Sequence, residues 1–265
     1  MSAVISTSPS NFAKEAGAPR QPRRLLTLSH STIDNGDIDI WYVDLDQADQ
    51  TQWRDVLTAS DWARAERYVH LLHRNRFAQA RFSLRILLGA YCAQPPDSLK
   101  FINNTHGKPA LTNFYRLGFN LSRSGNIAVI AIGRQLEIGV DIEQFIAPNN
   151  PRELARTVFS EEENNAFSGL PDDVLARTFL TCWTRKEAYL KAIGTGLVID
   201  PRHVTVGLQP HRQPVADIIT GGIVEVATLR IDTHAVISLA VAEHARSGYR
   251  QACMRHFSLN EMCES

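Results

Sequence analysis

No two of the four cysteines (Cys92, Cys182, Cys253 and Cys263) form a CxxC pair, which excludes the common zinc and dithiol redox motifs. Scattered cysteines of this kind read as reduced thiols of a cytoplasmic protein. No apolar run approaches the ~18 residues of a transmembrane helix, so no membrane span is expected. The N-terminus lacks the basic-then-apolar order of a signal peptide. Net charge is missing too. The 28 Lys and Arg residues balance 28 Asp and Glu, where a dedicated nucleic-acid binder carries a basic excess. No short-period repeat is present, which excludes a solenoid. What remains is an ordinary globular balance, 44% apolar and 21% charged over 265 residues, enough to bury a core without disulfides or structural metals.

The charges balance without being mixed. From Arg54 to Arg85 there are seven arginines against three acids, a net of 7 − 3 = +4. From Asp141 to Asp173 there are eight acids against two arginines, a net of 2 − 8 = −6. Two solvated helical faces would account for most of these charges. A site between two halves, with arginines for phosphate and carboxylates for a metal, would account for them differently.

Residues 1–36 are rich in Ser, Thr, Ala, Pro and Gly without periodicity and read as a flexible extension. Alternation over Ile38–Leu45 predicts the first strand. Ser60 and Asp61 suit a helix start, and the Gly- and Pro-free stretch to Leu88 predicts continuous helix that ends before Pro95-Pro96. A short strand is expected over Leu99–Asn103, then the turn His106-Gly107-Lys108-Pro109. Leu117–Ser122 and Ile127–Ile132 read as a hairpin around Ser124-Gly125-Asn126, and Leu136–Glu143 as a further strand. Helices follow over Arg152–Phe159, Ser160–Phe167 and Leu175–Ile193, the last ended by Gly194. Strands are expected near Val204–Leu208, Ile223–Ile231 and His234–Val241. The order is strand, helices, strands, twice over. It predicts an α+β fold: two similar α/β halves in a pseudo-twofold arrangement, each a small mostly antiparallel sheet packed with helices, with a cleft between them. The halves divide as 37–133 and 134–245, followed by a tail over 246–265.

Three motifs could carry chemistry. In IGVDIE, period two puts Gly139, Asp141 and Glu143 on one strand face. Two carboxylates so placed repel unless they face water or share a hard cation such as Mg²⁺, and on this motif alone a solvent-facing strand is the simpler reading. In WTRKEAYLKAIGTGL, Trp183, Glu187 and Lys191 are four apart on one helix face. Glu187 and Lys191 could be a plain helix-stabilising pair worth about 0.2–0.5 kcal/mol, or a ligand for metal or proton beside a ligand for phosphate. Lys108 in a stiff turn, and Ser122-Arg123 at a strand end, are phosphate donors in type.

The succession HGKP, FNLSRS, GVDIE and WTRKEAYLKAIGTGL, preceded by the arginine-rich stretch Asp61–Tyr91, resembles the 4′-phosphopantetheinyl transferase superfamily. Its length and order resemble the surfactin-type branch, in which two halves lie in one chain. The resemblance spans roughly Trp41 to Val241. It implies transfer of the phosphopantetheine arm of coenzyme A to a serine of an apo carrier protein (acyl, peptidyl or aryl), with release of adenosine 3′,5′-bisphosphate. It implies that Asp141, Glu143 and Glu187 hold Mg²⁺, with Mn²⁺ as a substitute. Glu187 would double as base, and Lys191 would stabilise the leaving phosphate. Arg64 and Arg76 match positions at the 3′-phosphate and adenine end, Lys108 and Pro109 the turn beside the nucleotide, and Ser122 a phosphate contact. Arg67, Arg81 and Arg85 fit the arginine pattern but suit salt bridges equally. One departure stands out: Arg123 replaces the family's usual histidine after that serine. It motivates the alternative of a catalytically impaired protein that binds coenzyme A or a carrier. A monomer is expected, since one chain supplies both sides of the cleft.

Overall fold

The structure is a computed structural model that describes residues 33–47, 50–112, 116–146, 148–231, 234–242 and 251–256. Most of the opening extension expected over 1–36 lies outside them. Alternation in DIDIWYVD makes strand β1 (Asp37–Asp44). Two short helices, α1 (Trp53–Val56) and α2 (Ala59–Ala65), lead to the 22-residue α3 (Leu71–Cys92). A two-stranded ribbon, β2 (Phe101–Asn103) and β3 (Pro109–Leu111), precedes the hairpin of β4 (Leu117–Ser124) and β5 (Ile127–Arg134). The second half opens with β6 (Glu137–Gln144). Helices α4 (Pro151–Val158), α5 (Glu161–Ser168) and the 22-residue α6 (Asp172–Ile193) follow it. Strands β7 (Gln213–Ala216), β8 (Ile223–Ile231) and β9 (Ala235–Ala242) complete that half, and β10 (Gln251–His256) is the last described element.

The two halves share one plan. In each, a strand precedes the long helix and an antiparallel hairpin follows it, with the last hairpin strand pairing back onto the first. The sheet orders are β10-β1-β5-β4 and β6-β9-β8-β7. Register places Trp41 opposite Ile130 in the first sheet and Asp141 opposite Ser238 in the second. The inner faces pack on each other through Ile38, Ile40, Val129, Val140, Ile142, Ile237 and Leu239. The outer faces are covered by the long helices, α3 against Trp41, Val43, Ile130 and Ile132, and α6 against Val224, Val226, Val236 and Ala240. This is the expected fold class, and the alternation of β6 explains one of its glycines. Gly139 lies under α6, where an added Cβ would stand 1.9 Å from the Ala188 carbonyl oxygen and 2.4 Å from Ala192 N. Helix backbone cannot yield as a flexible side chain can. Gly139→Ala is therefore expected to cost at least about 2 kcal/mol, measured as a drop in urea midpoint.

Several local expectations change. The start of α2 is capped by Thr58 rather than Ser60. Thr58 and Asp61 form a reciprocal capping box, since a cap bonds the backbone three residues on. The helix expected to run unbroken to Leu88 is interrupted between Glu66 and His70, with α3 starting afresh at Leu71. Val204–Leu208 is not a strand. Its backbone is instead held by side chains, with Val206 N and Gly207 N donating to Glu163 Oε1 at 2.8 and 3.1 Å. Strands β3 and β7 were not anticipated. Within the segment read as a tail, β10 joins β1 in parallel, Asp39 opposite Cys253. Arg255 Nε donates to Asp39 Oδ1 (2.7 Å), Tyr91 Oη donates to Asp39 Oδ2 (2.5 Å), and Trp41 Nε1 donates to Tyr91 Oη (3.0 Å).

Two of the family-pattern arginines are structural. Arg81 and Arg85 both donate to buried Asp61, at 2.9 and 2.6 Å, and both lie over the Phe101 ring. Burial alone would raise the Asp61 carboxyl, but Arg81, the Thr58 hydroxyl and Arg85 outweigh it and hold it below the usual carboxylate value. A depressed folded value gives stability that is complete above the unfolded value of about 3.9 and lost as pH falls through the folded one. Asp61→Asn should cost about 3 kcal/mol at pH 7 because it strands two guanidiniums, and the gap to the parent should narrow by pH 3, read from urea midpoints.

Candidate active site

β4 and β6 are the outer strands of their sheets, and their edges meet. Side chains join them in place of a backbone ladder. Val140 N donates to Asn120 Oδ1, and Gln144 N to Ser124 Oγ, each at 3.0 Å. Period two puts Asn120, Ser122 and Ser124 together on this side of β4. Ser122 Oγ donates to Asp141 Oδ1 (2.7 Å) and Ser124 Oγ to Glu143 Oε2 (2.8 Å).

Helix α6 closes the other side with Trp183, Glu187 and Lys191. Lys191 Nζ reaches Asp141 Oδ1 (2.5 Å), Ser122 Oγ (2.9 Å) and Val140 O (3.3 Å). Its ion pair is thus with β6 of its own half, not with Glu187 one turn away. Trp183 bonds the Glu143 carboxylate. Ser122, Asp141, Glu143, Glu187 and Lys191 are therefore brought together as the resemblance implies, and Asp141 is buried rather than solvent-facing as its motif alone suggests. Ser124 was missed, although the same alternation that selects Ser122 would have found it.

The cluster is electrostatically strained. Burial raises the carboxyls of Asp141, Glu143 and Glu187. The charge of Asp141 raises both of the others further, while Lys191 pulls all three back. Asp141 Oδ2 and Glu187 Oε1 are buried without any hydrogen-bond partner among the described residues. Buried polar atoms are rarely left so, and two orphaned carboxylate oxygens among mutually repelling acids suit a hard cation. Among the described residues, no three His, Cys, Asp or Glu side chains are gathered tightly enough to hold a metal as they stand.

A groove of about 290 Å³ opens at the C-terminal end of α6, lined by Asn104, Lys108, Pro109, Gly194, Ile219 and neighbours but by none of the five residues of the cluster. Asn104 builds its turn. Its Oδ1 accepts from His106 N and Lys108 N (both 2.9 Å), and its Nδ2 donates to Gly194 O (2.7 Å) at the end of α6. Gly194 takes φ +74° there, the left-handed conformation that ends a helix cheaply. Lys108 Nζ donates to Ala192 O (2.9 Å) and Glu137 Oε2 (2.8 Å).

The remaining predicted contacts lie apart from the carboxylates. Arg123, next to Ser122 in β4, points to the other face. Its Nη2 donates to Tyr68 Oη (3.1 Å) and its guanidinium lies 5.2 Å from the Phe77 ring centroid. Arg64 rests over the same ring at 5.9 Å. Arg76 is held separately by a two-pronged bond to Asp46, both distances 2.7 Å.

A sequence model of the 4′-phosphopantetheinyl transferase superfamily matches residues 137–250, the stretch that begins with β6 and includes α6. The chain is 33% identical over 217 residues to the 4′-phosphopantetheinyl transferase HetI of Nostoc sp., covering 80% of this chain and 90% of that protein. It is 30% identical over 174 residues to the 4′-phosphopantetheinyl transferase psf-1 of Bacillus pumilus, covering 65% and 67%. Over 95 residues it is 37% identical to AcpT of Escherichia coli, covering 36% and 49%. With the motif cluster assembled between two halves and this likeness extending over most of its length, the chain belongs to the 4′-phosphopantetheinyl transferase superfamily.

Proposed function

We propose that this protein moves the phosphopantetheine arm of coenzyme A onto a serine of an apo carrier protein and releases adenosine 3′,5′-bisphosphate. The observation that carries this reading is the pair of buried, unpartnered oxygens, Asp141 Oδ2 and Glu187 Oε1, facing one another's charge between the two halves. Asp141, Glu143 and Glu187 would hold Mg²⁺, or Mn²⁺ in its place, and that ion would neutralise pyrophosphate charge.

The carrier serine Oγ attacks the phosphorus that bears the pantetheine arm. A new P–O bond forms as the bond to the bridging oxygen breaks, and the bisphosphate leaves with that oxygen and its electron pair. The serine proton passes, directly or through water, to Glu187, which has a carboxylate oxygen with no hydrogen-bond partner among the described residues. Lys191, already held by Ser122 and Asp141, is fixed where negative charge develops on the leaving phosphate. Lys108 and Pro109 would border the nucleotide in their groove, with Arg64, Arg76 and Arg123 on the phosphates. For Arg76 this requires exchange of Asp46 for a phosphate, a charge-assisted bond of the same kind.

The test is the intact mass of an apo carrier domain after incubation with this protein, coenzyme A and Mg²⁺. A gain of one phosphopantetheine, abolished by EDTA, is expected. No gain on acyl, peptidyl and aryl carriers, with coenzyme A still bound, would replace this reading with the non-catalytic one suggested by Arg123.

A further inference from the structure

Where the chain breaks between α2 and α3, three apolar side chains stand in solvent. Val69 is 89% exposed, Leu71 65% and Leu72 52%. They fall within four successive residues, so they form a patch rather than the scattered apolar residues any surface carries. They are not needed to fill a core, since α3 begins to bury side chains only at Phe77. The setting is basic. From Arg64 to Arg74 the chain carries three arginines, Arg64, Arg67 and Arg74, with His70 and His73, against one acid, Glu66. Among the described residues none of the three arginines forms an ion pair with a carboxylate, in contrast to Arg76, Arg81 and Arg85 in the same stretch.

The patch is also tied to the reaction centre. Tyr68, adjacent to Val69, accepts from Arg123 at its hydroxyl and from Arg74 Nη2 at its carbonyl (3.3 Å). Arg123 lies between Ser122 and Ser124, which bond Asp141 and Glu143. A macromolecule seated on Val69–Leu72 thus lies on the Arg123 side of β4, the strand whose other side carries Ser122 and Ser124.

We infer that Val69, Leu71 and Leu72, with Arg67 and Arg74 at their rim, form a docking surface for an acidic helical carrier domain. The inference rests on the transferase reading. An apolar centre with a basic rim fits a helix that presents apolar residues flanked by carboxylates. The rim charges would govern encounter and the apolar side chains residence.

The experiment measures transfer to an acidic apo acyl carrier protein by Val69→Asp and by Leu71→Asp, both at exposed positions. Each variant is expected to raise KM for the carrier about tenfold or more, with KM for coenzyme A and the melting temperature unchanged. A carrier in which two helix carboxylates are replaced by lysine should lose its preference for wild type over Val69→Asp. An unchanged carrier KM in both variants overturns the proposal, as does loss of a concentration-dependent dimer in Val69→Asp, which would make the patch a contact between copies. If wild type transfers nothing, the transferase reading fails separately. Carrier binding by fluorescence anisotropy then decides the surface: binding lost in Val69→Asp supports it, and no binding or unaltered binding overturns it.

Discussion

Replacing Glu187 with glutamine is expected to lower transfer by about 10³-fold or more and to leave the protein at least as stable as before. The two halves of this expectation come from one geometry. Glu187 Oε1 is buried with no partner, and burial together with the charges of Asp141 and Glu143 raises its carboxyl. A group in that position works against the fold, so neutralising it relieves repulsion while keeping shape and volume. A residue kept for packing would show the opposite pattern, a loss of stability with activity falling in proportion. The measurements are the rate of mass gain on an apo carrier and the melting temperature, on the same preparation. Transfer by Glu187→Gln within tenfold of wild type under saturating Mg²⁺ would remove this residue from the reaction. A fall in melting temperature of several degrees would assign it to the fold.

Lys186→Met is the opposite case, with a large expected loss of stability. Lys186 is fully buried and pairs with Glu163 (2.6 Å), itself 2% exposed. Its Nζ also donates to Pro201 O (2.9 Å) and to Val204 O. Glu163 caps α5 through Ser160 N (2.9 Å) and holds Val206 N and Gly207 N. The neighbouring Arg185, also fully buried, donates to Val206 O from Nε (3.0 Å) and Nη2 (2.8 Å). Two cations on α6 and one acid on α5 thus fix a loop that has no ladder of its own. Removing Lys186 strands the Glu163 carboxylate in the interior, at a cost of about 3–5 kcal/mol. Adding Glu163→Gln should recover at least about 1 kcal/mol, because the stranded charge goes with it. Urea midpoints of the four proteins in the cycle measure this. A double variant whose loss equals the sum of the two single losses would show that the pair carries no coupling.

The elements with strong periodicity were legible in the sequence. IDIWYVDL and IGVDIE alternate cleanly and are strands, and Leu175–Ile193 runs to Gly194 as a helix must. The repeat of strand, helix and hairpin followed from order alone. The acids on β6 and the side chains of α6 met because a strand face and a helix face are fixed by their periods. What stayed hidden depends on distant partners. Val204–Leu208 has the composition of a strand, but Glu163 and Arg185 bond its backbone from elements far away in sequence. The roles of Arg81 and Arg85 turn on Asp61, and no local pattern distinguishes an arginine that binds a buried acid from one that awaits an anion. The short strands β3, β7 and β10, of three to six residues, are defined by the neighbours they pair with.

The last described strand acquires a different meaning beside the carboxylate cluster. Asp39 in the first half stands where Asp141 stands in the second. Each lies on the opening strand under a long helix. Each is bonded by a residue near that helix's end, Tyr91 or Lys191, and by a side chain from a flanking strand, Arg255 or Ser122. In the first half the flanking strand is β10, which places a guanidinium on the carboxylate and closes the edge. In the second it is β4, which supplies only a hydroxyl and leaves one oxygen orphaned. The duplicated plan therefore carries two matching carboxylates, one covered by a guanidinium and the other by a hydroxyl and an ammonium.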